Sequence, residues 1–240
     1  MTKYAILIGV LLSSLQSFAF RLDPMVVHFA PKGKGATQVL KLDNPTGDKI
    51  PVQIEVVTRN EKSGTEKREK TNEFTVYPEQ VVLLPHEKRN VRITFSGEVG
   101  NEEKSYRIIA SQLPIELKET NAKSKKAAGA NVTFMLQYVA SAYVTPEGVS
   151  ADVKVKDVKL LSPKSLSVVV YNEGTAHRLL YVKTFKILEK SKMVAEIKKP
   201  EGIEGVNFLA KSQKTVVLSL DKPLKGTEYT VEMELAESSD

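Results

Sequence analysis

The sequence contains no cysteine and only three histidines, His28, His86 and His177. The lack of cysteine excludes disulfides, zinc–thiolate sites, thiol redox motifs and a cysteine nucleophile, so the core must be stable without covalent cross-links. The histidines are far apart in sequence and have no spacing typical of metal ligands. We therefore predict neither a metal site nor another cofactor.

Signatures of the common enzyme classes are absent as well. The sequence has no Gly-x-Ser-x-Gly turn around a nucleophilic serine, no glycine-rich phosphate loop and no dinucleotide-binding fingerprint. Scattered serines, histidines and acids do not define a catalytic triad, because a triad is recognised by its geometry. We predict that the protein is not an enzyme.

Long apolar runs are missing beyond the N-terminus. The apolar run Tyr4–Leu15 follows Lys3 and precedes Ser17-Phe18-Ala19, which has small residues at the −3 and −1 positions of a signal-peptidase site. The run is shorter than the roughly 20 residues that a membrane-spanning helix needs. Residues 1–19 are therefore predicted to be a signal peptide cleaved after Ala19, with no stable membrane insertion of the mature chain. A retained anchor is the alternative.

The net charge of +6 arises from 35 basic and 29 acidic residues that are dispersed along the chain. A basic balance can suit an acidic partner, an anionic membrane or nucleic acid. The interleaving of the two signs favours a solvated surface, so no nucleic-acid binding is predicted.

The segment Lys118–Ala130 differs from the rest of the chain, because it has four lysines and no large apolar side chain. We expect it to be mobile, either ordering on a partner or serving as an exposed hairpin connection.

Alternation of apolar and polar residues dominates the rest of the sequence. The strand Val39–Leu42, the turn Asn44–Asp48 and the strand Val52–Val56 are one example. No stretch of ten or more residues has amphipathic helical spacing. Further strands are predicted at Phe74–Tyr77, Asn90–Phe95, Ser105–Gln112, Val132–Val144, Leu166–Tyr171, Leu179–Leu188, Thr215–Leu220 and Tyr229–Leu235. Many short strands with turn signals between them predict an all-β sandwich protein.

The chain divides near Thr145–Gly148, where proline and glycine follow a long strand. A weak repeat supports this division, since Leu40–Val57 and Leu166–Leu188 both consist of a strand, an asparagine-containing turn and a strand. Each half has the size of an immunoglobulin-like sandwich. The predicted organisation is a signal peptide (1–19), an N-terminal domain (20–145), a linker (146–148) and a C-terminal domain (149–240).

The strand Val132–Val144 has an unusually apolar face, formed by Val132, Phe134, Leu136 and Tyr138. One explanation is an ordinary inward-facing core strand. The other is an edge strand that is donated to a partner lacking a strand, with backbone hydrogen bonds providing affinity and alternate side chains providing register.

Five stretches of the first half, and the proline that follows, occur in a characteristic order. They are Leu22–Phe29; Leu42-Asp43-Asn44-Pro45; Leu84-Pro85 with Val91-Arg92-Ile93; Glu103–Arg107 with Leu113-Pro114; Val132, Phe134 and Leu136; and lastly Pro146. In order and spacing they resemble the PapD-like family of periplasmic pilus and fimbrial assembly chaperones, although His86 stands where that family often has glycine. In the second half the resemblance is limited to the Asn172 turn and the number of strands.

The resemblance implies a periplasmic protein of two immunoglobulin-like domains in a boomerang arrangement, with a cleft that receives a subunit. The family inserts its donor strand into a pilin-like subunit. By this resemblance the partner is a pilin-like or other β-rich exported subunit, with an outer-membrane usher as a possible second partner. Glu103 corresponds to an acid that contacts the other domain, and no nucleotide or metal is implied.

The chain departs from the family at two cleft positions. The family holds the subunit's terminal carboxylate with an arginine and a lysine, where this sequence has Val26 and Ser141. Neither residue provides a positive charge. Three explanations remain: capture by strand donation alone, a client other than a standard pilin, or a PapD-like structural or binding module of the cell envelope without chaperone activity. An exposed donor strand also predicts self-dimers of the free protein.

Overall fold

The computed structural model describes residues 20–61, 65–114, 135–198 and 200–236, which form an all-β protein. Besides one short 3-10 helix, Lys34–Ala36, these residues form strands β1 (Arg21–Asp23), β2 (Val26–Phe29), β3 (Thr37–Asp43), β4 (Ile50–Thr58), β5 (Phe74–Tyr77), β6 (Gln80–Leu83), β7 (Lys88–Phe95), β8 (Lys104–Gln112), β9 (Gln137–Val144), β10 (Val153–Ser162), β11 (Ser165–Asn172), β12 (Arg178–Leu180), β13 (Val182–Glu189), β14 (Lys192–Lys198), β15 (Val206–Phe208), β16 (Gln213–Ser219) and β17 (Thr230–Leu235).

The first nine strands form an immunoglobulin-like sandwich. One sheet has the order β1-β3-β7-β5, and the other has the order β2-β9-β8-β4-β6. Alternate residues of both sheets point inward, as in β7, where Val91, Ile93 and Phe95 are buried. These inward residues form one apolar cluster that runs from Phe20 to Val144.

The remaining strands form the second sandwich around a separate apolar cluster, from Val153 to Val231. Its sheets have the orders β10-β11-β16 and β14-β13-β17, with β12 and β15 forming an additional pair. In β11, Leu166, Val168 and Val170 are fully buried, because strict alternation places every second residue inward.

Most of the predicted strands are present, and the differences have structural causes. The predicted strand Leu179–Leu188 is interrupted at Tyr181, since Leu180 pairs with Val206 while Val182 pairs with Leu235 in another sheet. Strand β10 was not predicted, because register shifts between Val155 and Asp157 and between Leu160 and Ser162 disturb its alternation.

Several sequence predictions fall outside the described residues. These are the signal peptide 1–19, the lysine-rich segment Lys118–Ala130, and Val132 and Phe134 of the predicted donor strand. The described part of that strand, β9, begins at Gln137.

His86 adopts a φ of 57°, in the left-handed region that glycine tolerates best, which explains why glycine is frequent at this position of the family.

The two turns of the sequence repeat are built in the same way. Asn44 is fully buried, and its side-chain amide donates to the carbonyls of Asp48 and Leu84 at 2.7 and 2.9 Å. Asn172 is also fully buried and donates to the carbonyls of Ala176, Phe208 and Leu209. Each asparagine therefore satisfies backbone groups that could not otherwise be buried.

Candidate partner-binding cleft

The five-stranded sheet of the first sandwich has one face toward the core and one face toward the second sandwich. We call the second face the cleft face; it consists of Val26, His28, Ser141, Tyr143, Arg107, Val57 and Arg59. Val26 of β2 pairs with Ser141 of β9, Ser141 pairs with Arg107 of β8, and Arg107 pairs with Val57 of β4. Directly paired residues lie on the same face of a sheet, so these four form one row across it.

The two positions that lack the family's basic residues are therefore neighbours. Val26 is 52% exposed and Ser141 is partly exposed. The register places Val26 and Ser141 side by side. Neither carries a charge.

Arg107 brings a positive charge to the same row of side chains. Its Nη1 donates to the Ser141 hydroxyl at 2.6 Å, so the guanidinium extends over β9. The family motif Glu103–Arg107 includes this arginine, and alternation places it on the face opposite the buried Tyr106. The alternation in this motif predicts the face on which Arg107 lies. It does not predict the pairing of β8 with β9, which brings Arg107 to Ser141.

Glu66 accepts hydrogen bonds or ion pairs from Arg59 and Arg107 of the cleft face and from Arg68. Arg107 contacts its two carboxylate oxygens at 3.2 and 2.5 Å, Arg68 approaches within 2.5 Å and Arg59 within 3.0 Å. Burial alone would raise the pKa of the Glu66 carboxyl, but the hydrogen bonds from Arg107 and Arg68 and the nearby Arg59 lower that pKa to about 2. Glu66 is thus ionised at any physiological pH.

The two rows of side chains on β9 have different surroundings. Ala140, Ala142 and Val144 are buried in the first core, and Leu136 and Tyr138 continue this row and pack against the same cluster while partly exposed. The opposite row begins with the exposed residues Met135 and Gln137. The Tyr138 ring makes an edge-on contact with Phe20, with ring centroids 5.0 Å apart.

β9 is paired on both sides only along its second half. Strand β8 pairs with it from Gln137 to Val144, whereas β2 pairs with Ser141–Val144 alone. Within the described ranges, no strand pairs with the other edge of Gln137–Ala140. Such an edge can accept an added strand.

Glu103 contacts residues of both sandwiches. Its carboxylate accepts hydrogen bonds from the Thr145 hydroxyl at 2.8 Å and from the backbone N–H of His177 at 3.0 Å, and it lies 2.6 Å from His177 Nδ1. Its own backbone N–H donates to the Thr175 carbonyl. Burial raises the pKa of the Glu103 carboxyl, but the bonds and charge of His177 and the Thr145 bond lower it further than burial raises it.

A stack of rings lies beside Glu103. The Tyr143 ring is parallel to the His177 ring, with centroids 3.7 Å apart, and His28 stacks at 5.4 Å from Tyr143. The Tyr143 hydroxyl accepts hydrogen bonds from Asn207 at 2.5 Å and from Arg59 at 3.3 Å. Tyr143 thus joins residues of both sandwiches.

A buried ion-pair chain adds a third connection. Arg59 and Glu61 are 2.5 Å apart and almost fully buried, and Lys214 of the second sandwich reaches Glu61 at 2.7 Å.

Although His28 and His177 come together, no group of three metal-ligating side chains occurs among the residues that the structure describes. Within the same residues, no helix has the length and apolar character of a membrane span.

Comparisons with known proteins agree with this architecture. A family model described as the pili and flagellar-assembly chaperone, PapD N-terminal domain, matches residues 19–150, more than half of the chain. No curated protein matches the full sequence significantly.

Solved structures share the fold over nearly the whole length. A chain of the CsuC–CsuE chaperone–tip adhesion subunit pre-assembly complex, from archaic chaperone-usher Csu pili of Acinetobacter baumannii, has a TM-score of 0.61 and 16% identity, covering 91% of this chain and 97% of that one. The Salmonella enterica SafA pilin–SafB chaperone complex gives 0.54 and 14%, covering 93% and 99%. The E. coli chaperone DraB gives 0.52 and 15%, covering 92% and 96%. By its family match, the chain belongs to the PapD family of pili and flagellar-assembly chaperones.

Proposed function

We propose that this protein is a periplasmic chaperone that stabilises a pilus or surface-fibre subunit by donating strand β9 and the apolar residues before it. The partner is a pilin-like or other β-rich exported subunit, and the chaperone delivers it for assembly, for which an outer-membrane usher is the expected recipient. The protein has no catalytic role and needs no cofactor. Cleavage after Ala19 exports the mature chain.

The observation that carries this proposal is the half-paired edge of β9. Gln137–Ala140 has β8 on one side and no described strand on the other. Leu136 and Tyr138 belong to the row that continues into the first core. A subunit strand added at this edge would extend the sheet, and Leu136, with Val132 and Phe134 before it, would enter the subunit's own core.

The energy of such a contact comes mainly from apolar burial. Each fully buried side chain of the size of leucine or phenylalanine contributes about 1.5–3 kcal/mol. Three such side chains would hold the partner before backbone hydrogen bonds are counted. The alternation along the strand determines the register, because a shift by one residue would replace Leu136 by the outward-facing Met135.

We further propose that Arg107 replaces the basic pair missing at Val26 and Ser141. Strand β2 occupies the edge of β9 from Ser141 onward, so a partner strand along Gln137–Ala140 must end or turn there. Its terminal carboxylate would lie near Ser141, which the Arg107 guanidinium already reaches.

The domain division is proposed to be 20–145 and 149–240, with residues 146–148 as the linker. The two separate apolar clusters support this division, since the first ends at Val144 and the second begins at Val153.

Self-dimers of the free chaperone are expected for the same reason as client binding, namely the unpaired edge of β9.

The proposal is tested by affinity purification of the tagged protein from its own periplasm, with partners identified by mass spectrometry. The test variant is Leu136→Asp, which places a charge in the donated row. The matched control is Met135→Asp, which places the same charge on the adjacent, 61% exposed residue of the other row. Thermal unfolding of both variants checks that the first sandwich remains folded.

A stoichiometric small β-rich partner that is lost with Leu136→Asp and kept with Met135→Asp would support strand donation. If the folded wild-type protein recovers no such partner, the chaperone proposal is wrong and a structural or binding module without chaperone activity takes its place. Equal recovery by both variants would mean that another surface binds the partner.

A further inference from the structure

Two histidines from different sandwiches meet beside the Tyr143 ring. His28 lies on β2 and pairs with Tyr143 of β9, whereas His177 lies just before β12 of the second sandwich. The His177 ring is parallel to the Tyr143 ring, with centroids 3.7 Å apart, and the His28 ring stacks at 5.8 Å from the His177 ring. We call this arrangement of His28, Tyr143 and His177 the ring contact; it exists only while the two sandwiches are together.

Charged groups from other segments surround the ring contact. Glu103, which precedes β8, engages His177 through one carboxylate oxygen and accepts a hydrogen bond from the Thr145 hydroxyl with the other. Arg59, which follows β4, donates to the Tyr143 hydroxyl at 3.3 Å and brings a positive charge to the same place. The carboxylate of Glu103 is thus already paired with one of the two histidines.

These surroundings oppose a proton on the His28 ring. Although His28 has exposed surface, its packed ring loses solvent, and this loss and the nearby His177 lower the pKa of His28, while Glu103 opposes the shift without reversing it. When the sandwiches separate, His28 loses its neighbour His177 and its pKa returns toward the usual value of about 6.5. The separated arrangement therefore binds a proton more readily than the closed one. The closed contact has its full stability above about pH 6.5 and loses part of it as the pH falls through the lower, closed-state pKa of His28.

We infer that the ring contact is acid-sensitive, so that a proton taken up by His28 weakens it and lets the two sandwiches separate while each remains folded. The apolar clusters of the two sandwiches are separate, which allows each to stay folded without the other. The response begins in milder acid than protonation of Glu103, whose pKa is held below its ordinary value by His177 and Thr145 against the effect of burial. His28 and Tyr143 belong to the cleft face, so separation alters that face. The inference does not rest on the identity of a partner.

The test follows the separation of the sandwiches in the purified protein. Because the chain has no cysteine, Lys41→Cys on β3 and Lys192→Cys on β14 provide two exposed sites for a fluorescent donor and acceptor. Energy transfer is measured from about pH 7.5 to about pH 5.0, where histidine changes its charge. The test variant is His28→Gln, which cannot take up the proton. The matched control is His86→Asn, which removes a histidine outside the ring contact and tolerates the left-handed φ of that residue.

Transfer should fall with the pH in the labelled wild type and in His86→Asn, with a midpoint below about pH 6.5, and stay constant in His28→Gln. His28→Arg carries the positive charge at every pH, so it should show the acid value already at about pH 7.5. Constant transfer in the wild type, an unchanged transition in His28→Gln, or a closed His28→Arg would each overturn the inference. Circular dichroism checks that every variant remains folded.

Amide hydrogen exchange distinguishes separation from unfolding. The N–H groups of Glu103 and His177 bond across the two sandwiches, whereas the N–H of Val168 lies within β11 of the second core. At about pH 5.5, the first two should exchange several-fold faster in wild type than in His28→Gln, and Val168 should exchange alike in both. Comparison at one pH cancels the intrinsic pH dependence of exchange. Equal acceleration of Val168 would mean that acid unfolds the second sandwich, which would overturn the inference.

Discussion

Asn172 shows how a single polar side chain can hold several segments of a sandwich together. Its amide donates to the carbonyls of Ala176, Phe208 and Leu209, and its carbonyl accepts the N–H groups of Asp152 and Gly174. Five backbone groups from three segments are thus bonded to one residue. The bonds to Phe208 and Leu209 are buried and the other three are partly buried, so water can replace only part of this set.

We therefore predict that Asn172→Ala lowers the free energy of unfolding by about 2–4 kcal/mol, since it removes five hydrogen bonds at a fully buried position. Asn90→Ala is the matched control, because Asn90 is exposed on β7. Urea unfolding monitored by circular dichroism measures both changes. Similar losses for the two variants would show that the Asn172 bonds do not stabilise the second sandwich.

The turn after Asn172 brings two backbone segments unusually close together. A Cβ on Gly174 would lie 2.3 Å from the Ser150 carbonyl oxygen and 2.4 Å from the Asp152 nitrogen. The equivalent turn of the first sandwich is open, and a Cβ on Gly47 would meet nothing within 4 Å. The same turn therefore has a steric constraint only where the chain enters the second sandwich.

Gly174→Ala should lower the free energy of unfolding by about 1–3 kcal/mol, because backbone atoms must move to admit the methyl group. Gly47→Ala should be neutral or slightly stabilising, since it restricts the unfolded chain without a clash. Thermal unfolding of the two variants side by side measures the contrast. The steric argument fails if Gly47→Ala is the more damaging substitution.

The strands illustrate what could be predicted from the sequence and what could not. Strict alternation, as in β11, is a local signal, and it correctly predicted most strands and the all-β class. Where a register shift disturbs the alternation, as at Val155 and Asp157, the strand was missed. The Asn44 and Asn172 turns were predicted because their chemistry is also local.

The contacts of the cleft were beyond local reasoning. Alternation alone places Arg107 opposite the buried face of β8, but its contact with Ser141 depends on the pairing of two strands separated by a long segment. The ring contact between His28 and His177 joins opposite sandwiches. Such contacts follow from topology, which short sequence patterns do not specify.

At the scale of the whole molecule, the contact between the sandwiches is polar and specific. Glu103 bonds to His177, Tyr143 bonds to Asn207, and Glu61 pairs with Lys214. Each contact requires defined distances and directions, unlike apolar packing. The interface therefore favours one mutual placement of the sandwiches, and this placement keeps the cleft face in its arrangement.

Glu103 makes this interface sensitive to acid. Its pKa is lowered in the folded protein, because the bonds and charge of His177 and the Thr145 bond outweigh the opposing effect of burial. In the unfolded chain a glutamate has a pKa of about 4.3. The ionised carboxylate therefore stabilises the folded state fully above about pH 4.3, and this stabilisation is lost as the pH falls through the lower, folded-state pKa.

We predict that Glu103→Gln lowers the free energy of unfolding by about 1–3 kcal/mol at pH 7, and that the difference from wild type shrinks as the pH falls below about 4.3. Urea unfolding at a series of pH values from neutral to acidic measures this difference, in which the titration of the other carboxylates cancels. Glu147→Gln, at an exposed residue near the same interface, should track the wild type throughout. A difference between Glu103→Gln and wild type that is independent of pH would mean that the charge of Glu103 does not stabilise the interface, and that the hydrogen bonds alone connect the two sandwiches there.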